Sequence, residues 1–479
     1  MNGPAHRKLL AAWGAVAAGL LAMAGLLVGQ SHRFGYDYRV IDMPVLAFAA
    51  AAILAGAIFL ALVWLVRESV ARRTGGRLLI GFVVVVGVIL RLMMFATEPV
   101  LEDDYQRYLW DGAVTANGLN PYAVVPADAQ SSRQAPEIVA LATKAGPVLR
   151  RVNHPDLRTI YPPVAQLAFA TAHEIAPFQL QAWRAVCLLF DVATLGLIFL
   201  LLGEVGRSLL WATLYWWNPL VLKELFNSAH TEAVLMPLVL CAVYLAVRHR
   251  QLASTVVLAL AVGVKIWPAL LLPLVIRPLL AKPWRLALAL ILFLLLMVLW
   301  TLPVVLAGFD QTSGFVAYAE RWKTNSALFP ALEGLAEAVL PAVGLDDLAP
   351  GRLVRGMIAV GLAGLALAVA VKPMDGARDI VCRAAVIVGA LVLFSPAQFP
   401  WYSIWFLVLL PFYPLLGFVV LAVTLPLYYT AFHLMARDQL DLYKDGIVWM
   451  IWLPVWGLLL MELVWPNLRQ WARRAPDTI

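Results

Sequence analysis

Leu101-Glu-Asp-Asp-Tyr-Gln-Arg-Tyr-Leu-Trp-Asp-Gly112, followed closely by Asn117-Gly-Leu-Asn-Pro-Tyr-Ala-Val-Val-Pro126, is an acidic island in an apolar chain. It gathers Glu102, Asp103, Asp104 and Asp111 within ten residues, directly after an apolar run, although only 14% of the 479 residues are charged. In a helix, Asp104, Tyr108 and Asp111 share one face, and Asp103, Arg107 and Trp110 the adjacent one. Such a group supplies a carboxylate general base with a cation beside it to tune it. The plainer reading is a solvated helix start, where acids are favoured by the helix dipole. Gly118-Leu-Asn-Pro-Tyr, with Asn120 and Tyr122, adds a rigid turn soon afterwards.

Working outward, 62% of the chain is hydrophobic, against about half for a soluble domain. Many runs reach the roughly 20 residues that cross a bilayer, so the fold class is an all-α polytopic membrane protein. A β-barrel would alternate apolar and polar residues instead. We mark fourteen spans, near 8–28, 44–66, 78–96, 184–203, 208–226, 232–247, 252–267, 268–279, 286–307, 353–371, 383–395, 401–414, 416–434 and 446–465. The first begins after His6, Arg7 and Lys8 and is longer than a signal-peptide core, so it reads as uncleaved. The net charge of +7 lies mostly in short loops, as orientation signals do, and does not point to nucleic acid. Cys187, Cys241 and Cys382 form neither a disulfide framework nor a metal motif. The 18 tryptophans suit interfacial anchoring in membrane lipid.

Basic clusters set the expected orientation. They are Arg67, Arg72, Arg73 and Arg77; Arg248 and Arg250; Arg277, Lys282 and Arg285; Lys372, Arg378 and Arg383; and Arg469, Arg473 and Arg474. All are cytoplasmic, with both termini inside, if the fourteen spans alternate. Residues 161–177 are then a juxtamembrane or re-entrant helix, and 97–183 is one large external loop. Residues 308–352 form a second external loop, and the whole of 1–479 is one integral membrane domain. An ordered loop as long as the first is more often functional than connective.

Other polar residues mark the outer side. Asn153-His-Pro-Asp-Leu-Arg-Thr-Ile-Tyr161 offers His154, Arg158 and Tyr161 between prolines, for a phosphate or a sugar. Trp217-Asn-Pro-Leu-Val-Leu-Lys-Glu-Leu-Phe-Asn-Ser-Ala-His-Thr-Glu232 brings His230 and Glu232; these two alone are too sparse for zinc, which takes three or four ligands. Lys265 lies in an apolar run broken by Pro268, where a cation costs about 2.5–3.5 kcal/mol on insertion scales. It either binds a lipid phosphate or snorkels to the interface. Glu320-Arg-Trp-Lys-Thr-Asn325 supplies Arg321, Lys323 and Asn325, with Trp322 to stack on a sugar; an amphipathic helix on anionic lipid fits it equally. Asp191 and Glu224 read as structural acids, paired for example with Arg184 or Lys223.

Taken in order, these pieces resemble the GT-C class of integral-membrane glycosyltransferases. More narrowly they resemble bacterial polyprenyl-phosphate-mannose-dependent mannosyltransferases, including the alpha-1,6-mannosyltransferases and glycosyltransferase family 87. The resemblance rests on Asp103 to Gly112, Gly118 to Tyr122, His154-Pro with Tyr161-Pro-Pro, Asn218-Pro-Leu with His230-Thr-Glu, Val264-Lys-Ile-Trp-Pro, Glu320-Arg-Trp with Asn325, and Leu328-Phe. Tyr402, in the tight loop Ser395-Pro-Ala-Gln-Phe-Pro-Trp-Tyr, completes the candidate binding residues. Two spans precede the one leading into the acidic loop, whereas in many GT-C enzymes the first span does so. The resemblance implies inverting transfer of a sugar from a polyprenyl phosphate to an acceptor hydroxyl on a glycan or lipid-linked acceptor. It implies a catalytic acid at Asp103, or at Asp104 if the register slips by one. Polar loops on the outer face agree, since nucleotide sugars are scarce there and the donor must travel in the membrane. Lys265, Arg158 and Arg321 are candidate cations for the released phosphate, with His154 as a hydrogen-bond donor. A divalent cation fits near Asp103 and Asp104, although two carboxylates do not demand one. The competing reading is a lipid or sugar transporter with Lys265, Asp191 and Glu224 lining its path, yet the chain lacks the internal repeat common in transporters. The same fold also accommodates arabinose, glucose or galactose as donor sugar.

Overall fold

The computed structural model describes residues 4–464 except Gly75 and Asp346. The basic tail used for orientation, Arg469, Arg473 and Arg474, lies outside the described residues. The described chain is helical, with a single isolated β-bridge between Thr324 and Ala397.

Three helices, α1 (Pro4–Gln30), α2 (Val45–Ala71) and α3 (Arg77–Met94), lead into a loop region holding α4 (Asp104–Ala116), α5 (Pro136–Ala145), α6 (Pro147–Arg150) and α7 (Pro163–Ile175). Next come α8 (Leu180–Glu204), α9 (Thr213–Trp216), α10 (Pro219–Leu222), α11 (Glu232–Val247), α12 (Gln251–Val262), α13 (Leu272–Ile276) and α14 (Pro283–Ala307). A second loop region carries α15 (Gly314–Arg321) and α16 (Leu328–Ala342), and α17 (Pro350–Val371) and α18 (Gly376–Phe394) follow.

Among the described residues eight helices are long and apolar enough to cross a membrane: Pro4–Phe34, α2, α3, α8, α14, α17, Leu416–Met435 and Leu440–Val464. The pair Pro219–Asn227 and Glu232–Val247 reaches that length only when its two pieces, bent by 119°, are counted as one span. The expected fourteen are not reached by this measure, because the remaining apolar stretches are broken. Pro219 starts α10 behind Asn218, whose side-chain oxygen caps the backbone N–H of Leu220 at 3.0 Å. Pro268 and Pro273 turn the 268–279 stretch into 3₁₀ and short α pieces. Pro411 and Pro414 follow the four-residue helix Ile404–Leu407.

Three of the basic clusters, around Arg248, Arg277 and Arg378, gather at one end of the bundle. Arg248 pairs with Glu204 at 2.7 Å, Arg378 donates to the Val205 carbonyl at 3.2 Å and Arg277 to that of Val371 at 3.1 Å. The other ends of α3, α8, α11 and α12 carry the acidic segment and its partners. A helix of 25 residues such as α8 separates the two ends by about 37 Å.

Buried ionic groups hold the scaffold. Asp191 on α8 pairs with Arg91 of α3 at 2.5 Å with both side chains fully buried, rather than with Arg184. Tyr215 also donates to Asp191, and Arg91 donates to the Trp216 carbonyl at 2.7 Å. Arg184 instead donates to the carbonyls of Thr97 (2.9 Å) and Asn227 (2.8 Å). Asn227 accepts from the Val100 N–H at 3.0 Å and donates to the Glu98 carbonyl at 2.8 Å. Residues 97–100 are thereby fixed just ahead of the acidic island.

Candidate active site

The acidic island forms a helix from Asp104, with Asp103 at its N-cap and Asp104 in its first turn, where the helix dipole favours negative charge. Pro163 starts α7, its fixed φ suiting the first helical position. The two helices touch backbone to backbone at Gly112, where a Cβ would lie 2.5 Å from the Phe169 carbonyl oxygen. Tyr108 stacks on Phe169 at 4.7 Å, and Tyr161 and Trp183 meet Phe169 edge-on at 5.6 and 5.1 Å. The first N–H groups of α7 find a partner in α12's end: Val164 donates to the Gly263 carbonyl at 2.8 Å. Two separate sequence motifs, Tyr161-Pro-Pro and Val264-Lys, therefore meet in space.

Asp104 lies at the centre. Its carboxylate accepts from Tyr108 and Tyr161, both at 3.3 Å, and from Asn153. Asn153 also donates to Asp103 at 3.1 Å. Burial, then the neighbouring Asp104, push Asp103 up to about 6 against the lowering effect of Asn153. Burial pushes Tyr108 and Tyr161 well above the usual phenol range, so both hydroxyls remain donors. His230 faces the same point, its Nδ1 3.4 Å from the Tyr108 hydroxyl and 3.7 Å from Asp104. Its ring is fully buried and stacks on Trp401 at 3.9 Å.

A second buried set adjoins this one. Lys265 donates to Glu232, which also accepts from Trp405 at 3.3 Å. The Lys265 ammonium lies 4.4 Å from the centre of the Tyr402 ring, and Tyr402 exchanges a hydrogen bond with Tyr318 at 2.9 Å. Glu224 accepts from Tyr429 at 2.5 Å, and Lys223 lies 4.0 Å from its other oxygen. Lys223 also lines an apolar groove between α1 and α2, bounded by Leu20, Met23, Leu27, Phe48 and Met94.

The other singled-out residues hold loops together. Arg107 donates to the carbonyls of Asn153 and His154, both at 2.8 Å, and of Leu157 at 3.1 Å. Arg158 clamps the second loop region through Ala307, the Gly308 carbonyl (2.9 Å) and Asp310 (2.9 Å). Asp111 is buried, accepts from Gln166 at 3.4 Å, and is raised by that burial. Asn120 donates to the Pro303 carbonyl at 3.3 Å and Tyr122 to that of Tyr161 at 2.8 Å. Asn325 is a buried node, donating to the Gln398 carbonyl at 2.9 Å and accepting from Tyr443 at 2.7 Å. His154, held at φ +44°, packs edge-on against Trp322 at 4.8 Å, and burial lowers its pKa. Lys323 pairs with Glu333 at 2.8 Å, and Arg321 is exposed.

Sequence reasoning did not single out Asn153 or Tyr429; it named Glu102 only as part of the acidic island, and read Glu224 as a structural acid with Lys223 as a candidate partner, the pair seen here at 4.0 Å. One signal was available: Lys223-Glu224 is a charged pair inside an apolar stretch, and such pairs usually face a cavity or a partner.

A family model described as "Alpha-(1->6)-mannopyranosyltransferase, N-terminal domain" matches residues 9–282, more than half of the chain. The chain belongs to this family. The matched region includes the acidic island, α7, His230, Glu232 and Lys265; Arg321, Lys323, Asn325 and Tyr402 lie beyond it. The chain is also similar to alpha-(1->6)-mannopyranosyltransferase A of Mycobacterium tuberculosis, with 26% identity over 187 residues, 38% of this chain. That match spans 33% of the relative's own length. No solved structure matches.

Proposed function

We propose that this protein is an inverting glycosyltransferase that moves mannose from a polyprenyl phosphate to an acceptor hydroxyl, at the outer face of a bacterial plasma membrane. The observation that carries this reading is the partly buried polar centre that follows α3. There two tyrosines and His230 surround Asp104, and Asn153 ties Asp103 to it, in a chain of the mannopyranosyltransferase family.

Asp103 is the base. One of its oxygens accepts from Asn153, and among the described residues no other side chain donates to it. Its pKa of about 6 brings it close to operating pH, where a general base works best. Asp103 removes the proton from the acceptor hydroxyl, whose oxygen attacks the anomeric carbon as the bond to the phosphate oxygen breaks on the opposite side. Asp104, held by Tyr108, Tyr161 and Asn153, orients the acceptor. The departing phosphate gains negative charge and needs fixed positive groups. Lys223, which lines the apolar groove, and the half-buried Lys265 beside Tyr402 are cations within reach of this centre, and the groove's apolar lining suits a prenyl chain. Arg158 serves better as the clamp between the two loop regions. In this reading the broken apolar segments add further crossings, with the basic clusters cytoplasmic and the acidic end outside.

The test is transfer by purified protein from a short-chain polyprenyl-phosphate [³H]mannose compared with a nucleotide-linked [³H]mannose, using a membrane lipid and glycan extract as acceptor. Label transferred from the lipid-linked donor alone supports the reading. Transfer from the nucleotide sugar, or uptake into proteoliposomes without any new product, contradicts it.

A further inference from the structure

His230 Nε2 lies 3.6 Å from Glu224 Oε2 and 3.8 Å from Glu102 Oε2. One ligand atom from each of these three residues falls within 4.8 Å of the other two. His230 and Glu224 are fully buried and the Glu102 side chain is 7% exposed. His230 Nε2, Glu224 Oε2 and Glu102 Oε1 are all buried without a hydrogen-bond partner. Orphaned buried polar atoms are rare; here two of them, His230 Nε2 and Glu224 Oε2, face each other, and the third belongs to the Glu102 carboxylate whose other oxygen faces His230.

Charge points the same way. Three carboxylates, of Glu102, Asp104 and Glu224, lie within 4 Å of the His230 ring. Among the described residues, Lys223 alone brings an ammonium or guanidinium that close to any of them, at 4.0 Å from Glu224. Lys223 is itself engaged with Ser228 at 2.6 Å. Two ligands follow residues in the left-handed region, Glu102 after Leu101 at φ +57° and His230 after Ala229 at φ +59°. Such backbone is strained for non-glycine residues and concentrates at functional sites.

We propose that Glu102, Glu224 and His230 bind a divalent transition-metal ion of the Mn²⁺ or Zn²⁺ class. Ligand atoms around a four-coordinate ion at about 2.0–2.2 Å lie roughly 3.3–3.6 Å apart. The two histidine-to-carboxylate separations therefore need to close by only a few tenths of an ångström. Three protein ligands leave a fourth position open, as catalytic sites do. The imidazole favours a transition metal over Ca²⁺ or Mg²⁺, which take oxygen. Supporting groups are already placed: His230 Nδ1 faces the Tyr108 hydroxyl and Asp104, and Tyr429 donates to the remaining oxygen of Glu224. Outer-shell partners of this kind fix the ring and its tautomer at metal sites. The ion differs in position from a cation between Asp103 and Asp104, where the Asn153 amide sits instead. In the sugar-transfer reading, the ion stands beside Lys223, where it adds positive charge for the leaving phosphate.

The test does not depend on that reading. Full-length protein is purified without chelator, and its metal content is measured by elemental mass spectrometry. After stripping with EDTA, its thermal unfolding is followed with added Mn²⁺ or Zn²⁺. The expected result is about one ion per chain and a rise in melting temperature on adding it back. Glu102→Gln and Glu224→Gln should each lose at least about tenfold in affinity, while Asp103→Asn keeps its ion. Glu102 lies in a linker outside the helices, so Glu102→Gln decides the matter if Glu224→Gln does not fold. Wild-type protein without stoichiometric metal and with no thermal response to either ion overturns the proposal. So does undiminished metal in a folded Glu102→Gln variant.

Discussion

Asn153 donates one amide nitrogen to both Asp103 and Asp104 and so holds two like charges side by side. Replacing it with leucine leaves the pair without a shared donor. We expect Asn153→Leu to lower transfer about tenfold, equivalent to losing one hydrogen bond to a charged group, with little change in melting temperature. Tyr161→Phe removes one long hydrogen bond to Asp104 and keeps the ring packing on Phe169, so a loss of about two- to tenfold is expected in the same assay. At this scale the sequence was informative where the partners are local. Asp104 and Tyr108 share a face because they are four residues apart, and the helix from Asp104 delivers that face. That Glu102 meets Glu224 and His230 was illegible, since it depends on a contact between chain segments 122 residues apart or more. The role of Arg158 was hidden for the same reason: its carbonyl partners lie at 307 and 308.

Apolar helices reveal their existence in sequence, but not which contacts fix them against each other. Gly112 shows this. Its Cβ would meet the Phe169 carbonyl at 2.5 Å, and backbone cannot step aside as a side chain can. Gly112→Ala should therefore destabilise the α4–α7 pair by about 1–3 kcal/mol, read as a lower melting temperature in detergent. Gly14→Ala on α1, where a Cβ meets nothing within 4 Å, should leave it unchanged. The pair of Arg91 and Asp191 makes a second case. Asp191→Leu strands a buried guanidinium and should cost about 3–5 kcal/mol, while Arg91→Met combined with Asp191→Leu recovers much of that loss. Thermal unfolding of the single and double variants checks the difference. The sequence marked Asp191 as a structural acid, and it is one; its partner is the long side chain of Arg91 on α3, a pairing that the linear order does not state.

Across the whole molecule, composition alone settles a helical membrane protein, and loop charges divide its two ends. The count of crossings is harder to obtain. Prolines at 219, 268, 273, 411 and 414 break apolar runs into pieces too short to qualify as independent spans. Hydropathy sees the run, whereas backbone hydrogen bonding sees the break. If the basic end is cytoplasmic, a cysteine at Ala127 is labelled by an impermeant maleimide in whole cells, and one at Thr74 only after lysis. Labelling of both, or the reverse pattern, refutes the orientation. The central claim is sugar transfer at the Asp103–Asp104 centre. The most direct measurement is the rate of [³H]mannose transfer from a polyprenyl phosphate by folded wild type, Asp103→Asn and Asp104→Asn in parallel. We expect transfer by wild type and a loss of about 10²–10⁴-fold in Asp103→Asn. Transfer at wild-type rates in both variants would contradict it.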